Sequence, residues 1–287
     1  MKKILVTGSN GFLASRFIET YKDKYEVIKG SHNFLDITDE NKVFNFFKNN
    51  KIDIVFHSAA ISDTGVCESD PLLCEKVNFE GTFNIAKGCS LNGSTLVFAS
   101  SDQIYNGNLE KGPYTEKTIP SPNNVYGLSK LRSEKSIKEI LDTYYNLRLT
   151  WLFSLPEKDK KINKNILCNI LNSFIKNEPL AFSPDEFRGI SYAYDVISNF
   201  EKLLEAPYGD YNFGSENNLS TYDVALKVLE FLNIKDRETS LLIKDFERFK
   251  DKDRDLRISN EKLRNNSVYF QSTEESIYKC LKDFNII

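Results

Sequence analysis

Apolar residues along the first half of the chain arrive in short blocks separated by longer segments with a different rhythm. Residues 4–7, 25–29, 53–57, 95–100 and 147–153 are compact runs rich in Val, Ile, Leu and Phe, with the length of buried strands. Between them, residues 12–21, 40–47, 71–90 and 126–144 carry apolar side chains at helical spacing; Leu13, Ala14, Phe17, Ile18 and Tyr21 share one face. Strands that are apolar throughout, alternating with amphipathic helices, predict a parallel sheet covered on both faces. The expected architecture is an α/β, doubly wound, Rossmann-type sheet, with ligands beyond the carboxyl ends of the strands.

After about residue 155 the alternation weakens. Residues 166–174 and 221–232 read as helices, 209–214 and 241–243 as short strands, and 244–257 is dense in alternating charge. This predicts a first domain over 1–155, rejoined by part of 187–215, and a smaller α+β lobe over 156–287.

The first predicted strand runs directly into Thr7-Gly8-Ser9-Asn10-Gly11-Phe12-Leu13-Ala14 and then a helix. Glycines at such a turn let the backbone approach a pyrophosphate, and the helix that follows aims its free N–H groups at the phosphates. The first domain is therefore read as dinucleotide-binding. Chemistry is carried by Tyr126 and Lys130, four residues apart and so on one helical face. A phenol near pKa 10 is a poor acid–base group at neutral pH, and a neighbouring ammonium is expected to draw it down toward the working range. Tyr25/Lys29 and Tyr278/Lys282 repeat the spacing, but the first pair lies in a predicted strand and the second lies outside the βα rhythm. Only Tyr126/Lys130 follows a strand ending in hydroxyls, Ser100-Ser101.

Composition narrows the classes. At 287 residues, 40% hydrophobic and 28% charged, the chain is an ordinary globular protein, and a net charge of −3 argues against nucleic acid as partner. Five cysteines without a Cys-x-x-Cys pair and two histidines give no zinc constellation. No apolar run reaches membrane-spanning length, so no membrane association and a cytoplasmic location are expected.

Taken together, the glycine turn, the hydroxyl after the fourth strand and the Tyr-x-x-x-Lys helix resemble the extended short-chain dehydrogenase/reductase superfamily, most closely its dTDP-4-dehydrorhamnose reductase group. The segments 57–60 (His-Ser-Ala-Ala), 77–82 (Val-Asn-Phe-Glu-Gly-Thr), 100–105 (Ser-Ser-Asp-Gln-Ile-Tyr), 124–130 and 148–153 carry the resemblance. It implies Tyr126 as proton donor or acceptor and Lys130 as its electrostatic partner, also bonding the nicotinamide ribose. Ser101 would hold the reacting sugar oxygen. Gly8, Asn10, Gly11, Phe12 and Leu13 would surround the pyrophosphate, Asp36 and Ile37 the adenine after a third strand, and Ala59 and Ala60 the inner ribose. Trp151 would contact the sugar. The implied partner is a nucleotide-sugar substrate; a homodimer is left open.

The resemblance has departures. Thr64-Gly65 replaces a Val-Asp pair, residues 188–192 are nearer the epimerase/dehydratase pattern, and Arg254-Asp255 stands where Arg-Pro is usual. An epimerase or dehydratase with tightly held NAD, and a non-catalytic nucleotide-binding regulatory subunit, are the rival expectations. On cofactor choice, an acid ending the second strand would bond a ribose 2′-hydroxyl and repel a 2′-phosphate. This chain has Lys29-Gly30-Ser31-His32 there, so NADP(H) is expected, with NAD(H) also admitted. Lys29 has an equal alternative as a plain solvent-facing residue. His57 is read as a packing or cofactor-neighbouring residue rather than an acid–base group, Asp102 as a loop-capping residue, and Arg188, Arg254 and Arg257 as surface-paired or diphosphate-binding.

Overall fold

The structure, a computed structural model, describes all 287 residues. Its elements follow the predicted rhythm: β1 (Lys3–Thr7), α1 (Phe12–Tyr21), β2 (Glu26–Gly30), α2 (Glu40–Asn49), β3 (Ile54–His57), α3 (Gly81–Asn92), β4 (Thr95–Ser101), α4 (Val125–Ile140), β5 (Tyr144–Leu149) and β6 (Gly209–Phe213). The six strands form one sheet in the order β2-β1-β3-β4-β5-β6. β1 pairs in parallel with β2 and β3, β3 with β4, and β4 with β5. The chain leaves β1 for β2 on one side and returns to β3 on the other, which opens a crevice at the carboxyl ends of β1 and β3. Register sets the floor of that crevice: Thr7 is level with both Gly30 and His57, and His57 with Phe98.

The central strands are apolar because both faces are covered. Leu5, Val55, Leu96 and Phe98 of the sheet pack with Val43 and Phe47 of α2 and Ile85 and Cys89 of α3 in one buried cluster. Asp39 and Asn124 cap α2 and α4, accepting hydrogen bonds from Lys42 N and Gly127 N.

Two compact units divide the chain. One comprises Met1–Asn108, Ile119–Leu149 and Ala206–Tyr211; the other comprises Leu109–Thr118, Thr150–Glu205 and Asn212–Ile287. The second unit has its own core, in which Phe153, Ile170, Tyr192, Val228, Ile277 and Leu281 are buried together. Its strands pair in parallel twos: Trp151–Phe153 with Ile190–Tyr192, Leu180–Phe182 with Leu242–Lys244, and Glu186–Arg188 with Arg254–Leu256. No helix is long and apolar enough to cross a membrane.

Three elements differ from the pattern reading. The run 147–153 is two strands, broken at Thr150, whose hydroxyl lies 2.5 Å from that of Ser191. A continuous apolar run does not record a change of pairing partner. The helix expected over 126–144 ends at Ile140, and Tyr144 already belongs to β5. The helix expected over 71–90 contains a π-helical turn, Glu75–Glu80, whose extra residue no side-chain periodicity announces.

Candidate active site

In the turn after β1, Gly8 has φ +64°, and a Cβ there would lie 2.8 Å from Ala59 Cα. Only glycine permits that approach, and it brings the turn after β1 against Ser58 and Ala59 after β3. Gly8 N donates to Gly30 O at 2.8 Å and Gly11 N to Gly8 O at 2.7 Å. Helix α1 starts from Gly11 with no side-chain cap and no acid in its first turn, so its first N–H groups lack intrahelical acceptors. The Ser9 hydroxyl is buried in this turn with no hydrogen-bond partner. An uncapped helix start beside an unpartnered buried hydroxyl and a glycine cradle fits a dinucleotide pyrophosphate. Asn10 is exposed on the turn, Phe12 is half-buried beneath the Arg16 guanidinium at 4.4 Å, and Leu13 points into the core.

Asp36 and Ile37 follow β2 in a loop; no third strand precedes them. Asp36 Oδ1 accepts from Thr38 N at 3.0 Å and Thr38 Oγ1 at 2.8 Å. Burial would raise this carboxyl, but the Thr38 bonds together with the His32 and Lys42 charges outweigh it and hold the carboxyl below its ordinary value. Ile37 is a core side chain and its carbonyl accepts from Asn84 Nδ2 at 3.0 Å. Past the end of β2, Lys29 and His32 are exposed and Ser31 is half-buried; His32 Nδ1 stands 3.8 Å from Asp36 Oδ1.

His57 is fully buried between two threonines, with Nδ1 2.7 Å from Thr7 Oγ1 and Nε2 2.9 Å from Thr82 Oγ1. Thr82 donates to Asn78 O, and Thr7 Oγ1 accepts from the Ser58 and Ala59 amides. The ring must therefore be neutral with its proton on Nε2. Burial, helped by the Lys130 charge, pushes it down to about 3. It anchors the turn carrying Ala59 and has no nitrogen free for proton transfer. A buried histidine that refuses its proton makes the fold acid-sensitive. The unfolded chain binds that proton below pH about 6.5 and the native state does not. Stability is expected to fall by about 2 kcal/mol from this residue between pH 7 and 5. The denaturation midpoint of His57→Asn should show a correspondingly smaller loss over the same range; equal slopes for both proteins would contradict this.

The sequence-predicted trio comes together at the end of β4. Tyr126 and Lys130 lie on the buried face of α4, 9% and 2% exposed, and Ser101 is the last residue of β4. The Ser101 hydroxyl shares a hydrogen bond with the Tyr126 phenol, accepts from Gln103 N at 3.2 Å and donates to Asp102 Oδ1 at 3.2 Å. Lys130 Nζ donates to Ala99 O at 2.8 Å and sits 4.6 Å from the Phe98 ring centre and 5.7 Å from that of Tyr126. Asn124, the cap of α4, donates to Gln103 Oε1 at 3.0 Å and ties the helix start to the turn after Ser101. Gly127 lets the two meet; a Cβ there would be 2.4 Å from Gln103 O.

Electrostatics correct one expectation. Burial pushes the phenol above its ordinary value, the Ser101 bond only partly offsetting it, and Asp102, Cys67 and Cys74 push the same way. The ammonium does not draw it down, because desolvation exceeds a charge directed at the ring and a carbonyl. Lys130 itself is brought down to about 8 by burial. The phenol is thus held protonated at neutral pH, the state from which it can give a proton.

Trp151 lies in the second unit, half-buried, with the Arg188 guanidinium 5.3 Å from its ring centre. Arg254 pairs with Glu186 and Arg257 with Asp255. No three His, Cys, Asp or Glu side chains converge as metal ligands. The Tyr278/Lys282 pair is helical with Nζ 5.4 Å from the ring centre, but Tyr278 is exposed.

Residue-by-residue reading passed over two sets of supporting groups. Asn78, in the π-turn, donates from Nδ2 to Ile61 O, Cys74 Sγ and Ser129 Oγ, and accepts at Oδ1 from Ile61 N. Glu134, one turn beyond Lys130, continues the spacing of Tyr126 and Lys130 on the same face; that spacing was the available signal.

A parallel sheet with this switch point, an uncapped helix after a glycine turn, and Ser-Tyr-Lys at the end of the fourth strand define an extended short-chain dehydrogenase/reductase. More narrowly, the chain belongs to the RmlD substrate binding domain family, whose model matches residues 1–286. It is 26% identical over 239 residues to a dTDP-4-dehydrorhamnose reductase of Aggregatibacter actinomycetemcomitans, covering 80% of this chain and 79% of that one. Among solved structures it resembles a dTDP-4-dehydrorhamnose reductase of Clostridium acetobutylicum (25% identity, TM-score 0.87, 99% of each chain). It shares its fold with one of Bacillus anthracis in complex with NADP (24% identity, TM-score 0.85, 99% of each chain).

Proposed function

We propose that this chain is an NADP(H)-dependent reductase of a 4-keto (4-dehydro-6-deoxy) nucleotide sugar, as its relatives are named. The observation that carries this reading is the hydrogen-bonded Ser101–Tyr126 pair, with Lys130 fastened beneath it to Ala99 O. Gly8, Ser9, Gly11 and the first N–H groups of α1 would hold the pyrophosphate, with Ala59 and Ala60 at the inner ribose and Asp36 and Ile37 at the adenine end. Because the Asp36 carboxylate is engaged by Thr38 and the Ile37 side chain is buried, backbone groups of that loop would make most of the adenine contact. NADPH, when bound, would supply the hydride that reduces the C4 carbonyl.

The protein's own part is the proton. Ser101 and Tyr126 present two hydroxyls to the C4 oxygen. As the carbon gains its hydride and the C–O π bond breaks, the oxygen takes the Tyr126 proton and leaves an alcohol. The phenolate left behind would be stabilised by the Lys130 ammonium. With no acid at the carboxyl end of β2, Lys29, Ser31 and His32, exposed or half-buried there, would leave a 2′-phosphate basic and polar neighbours, with the Asp36 carboxylate beside His32.

Incubating the full chain with dTDP-4-dehydrorhamnose and related 4-keto nucleotide sugars tests this. NADPH should be consumed in step with product, with NADPH preferred or equal to NADH. NAD co-purifying tightly with no NADPH consumption would assign an epimerase or dehydratase instead, and nucleotide binding with no turnover of any sugar would assign a regulatory subunit.

A further inference from the structure

Behind the dyad lies a buried charged network that the proposed chemistry does not use. Ser100 Oγ donates to Glu134 Oε1 at 2.6 Å. Arg148, the register partner of Ser100 on β5, donates from Nη2 to Glu134 Oε2 at 2.9 Å and to Asp210 Oδ2 at 3.0 Å, and from Nη1 to Tyr105 OH at 2.7 Å. Glu134 and Arg148 are 1% and 2% exposed. Two consecutive residues of β4 are thus gripped by two consecutive turns of α4: Ala99 by Lys130 and Ser100 by Glu134. Arg148 is shared between two carboxylates, so it does not fully consume the charge of Glu134.

We propose that Glu134 is a positioning residue for the dyad: through Ser100 and Arg148 it sets the face of α4 bearing Tyr126 and Lys130 against the end of β4, with its carboxylate one helical turn beyond Lys130. The proposal rests on the reductase reading above. Lys130 is faced by His57 from β3, by Cys67 and Cys74 from the helices Thr64–Ser69 and Pro71–Cys74, and by Tyr126 and Glu134 from its own helix. His57 is neutral, burial holds the Cys67 thiol up at about 12 and the phenol above its ordinary value. Glu134 is the carboxylate among these groups and, after Cys74 and Cys67, opposes the burial that brings Lys130 down to about 8.

The test is the pH profile of kcat/KM with NADPH and dTDP-4-dehydrorhamnose. The wild-type alkaline limb should fall near pH 8, where Lys130 loses its proton. Glu134→Gln should move that limb to lower pH by about half a pH unit. Glu134→Asp keeps a charge for Arg148 but withdraws it from Lys130 by one methylene, and should move the limb the same way by less; it decides the matter if the glutamine variant does not fold. A limb unmoved in the folded variants, with only a uniform drop in rate, overturns the proposal. A wild-type protein inactive on every 4-keto nucleotide sugar overturns the reductase reading instead.

Discussion

Replacing Tyr126 by phenylalanine is expected to lower kcat/KM for NADPH-dependent reduction by about 10²–10⁴-fold, the usual worth of a positioned general acid. The substitution removes one hydroxyl from a ring packed against Cys67, Cys74, Ile61 and Val125, and phenylalanine keeps that packing. Ser101 retains its bonds to Gln103 N and Asp102, so no buried polar group is orphaned. The glycine turn, Ser9 and the start of α1 are untouched. NADPH should therefore bind the variant about as well as the parent, and its melting temperature should change little. Steady-state kinetics with parallel cofactor titration checks both halves. Undiminished turnover would remove the phenol from the mechanism, and lost cofactor binding would mean that its role is structural.

The second large effect is on stability. Arg148→Met should cost about 3–5 kcal/mol, because Glu134 and Asp210 are left facing one another without the guanidinium between them. Burial lowers an arginine's affinity for its proton, yet the Glu134 and Asp210 carboxylates raise it further, which marks how strongly the pair depends on that charge. Lys138 reaches Asp210 from the surface but not Glu134. In thermal unfolding the variant should lose roughly 10 °C or more. A double replacement, Arg148→Met with Glu134→Leu, should recover much of the loss, since removing both charges leaves no unpaired buried ion. If the double variant were as unstable as the single one, packing of the arginine stem would be the cause.

The elements that could be read directly are those whose causes are local. The glycine turn, α1 and the placing of Tyr126 and Lys130 on one helical face depend on backbone sterics and on spacing within a few residues. Discarding Tyr25/Lys29 needed only the knowledge that strand residues four apart are far from each other, and Tyr25 indeed precedes β2. The hydroxyl at the end of β4 could be picked out because a strand's carboxyl end is where ligands sit in such sheets.

What spacing could not supply depends on groups remote in the chain. The sign of the Tyr126 shift turned on how completely the phenol is buried, with Asp102, Cys67 and Cys74 pushing the same way, and desolvation is a property of the packed whole. The neutral, locked state of His57 needed Thr7 and Thr82, 50 and 25 residues away. Thr150 moves the chain from one sheet to another through a contact with Ser191, 41 residues on. Glu134 gained its meaning only when β5 and β6 brought Arg148 and Asp210 alongside. Periodicity and turn chemistry name which side chains share a face, since those constraints act between near neighbours. Protonation, strand partners and the buried charge behind the dyad emerge from contacts across long loops, where the dielectric and the neighbours exist only after folding.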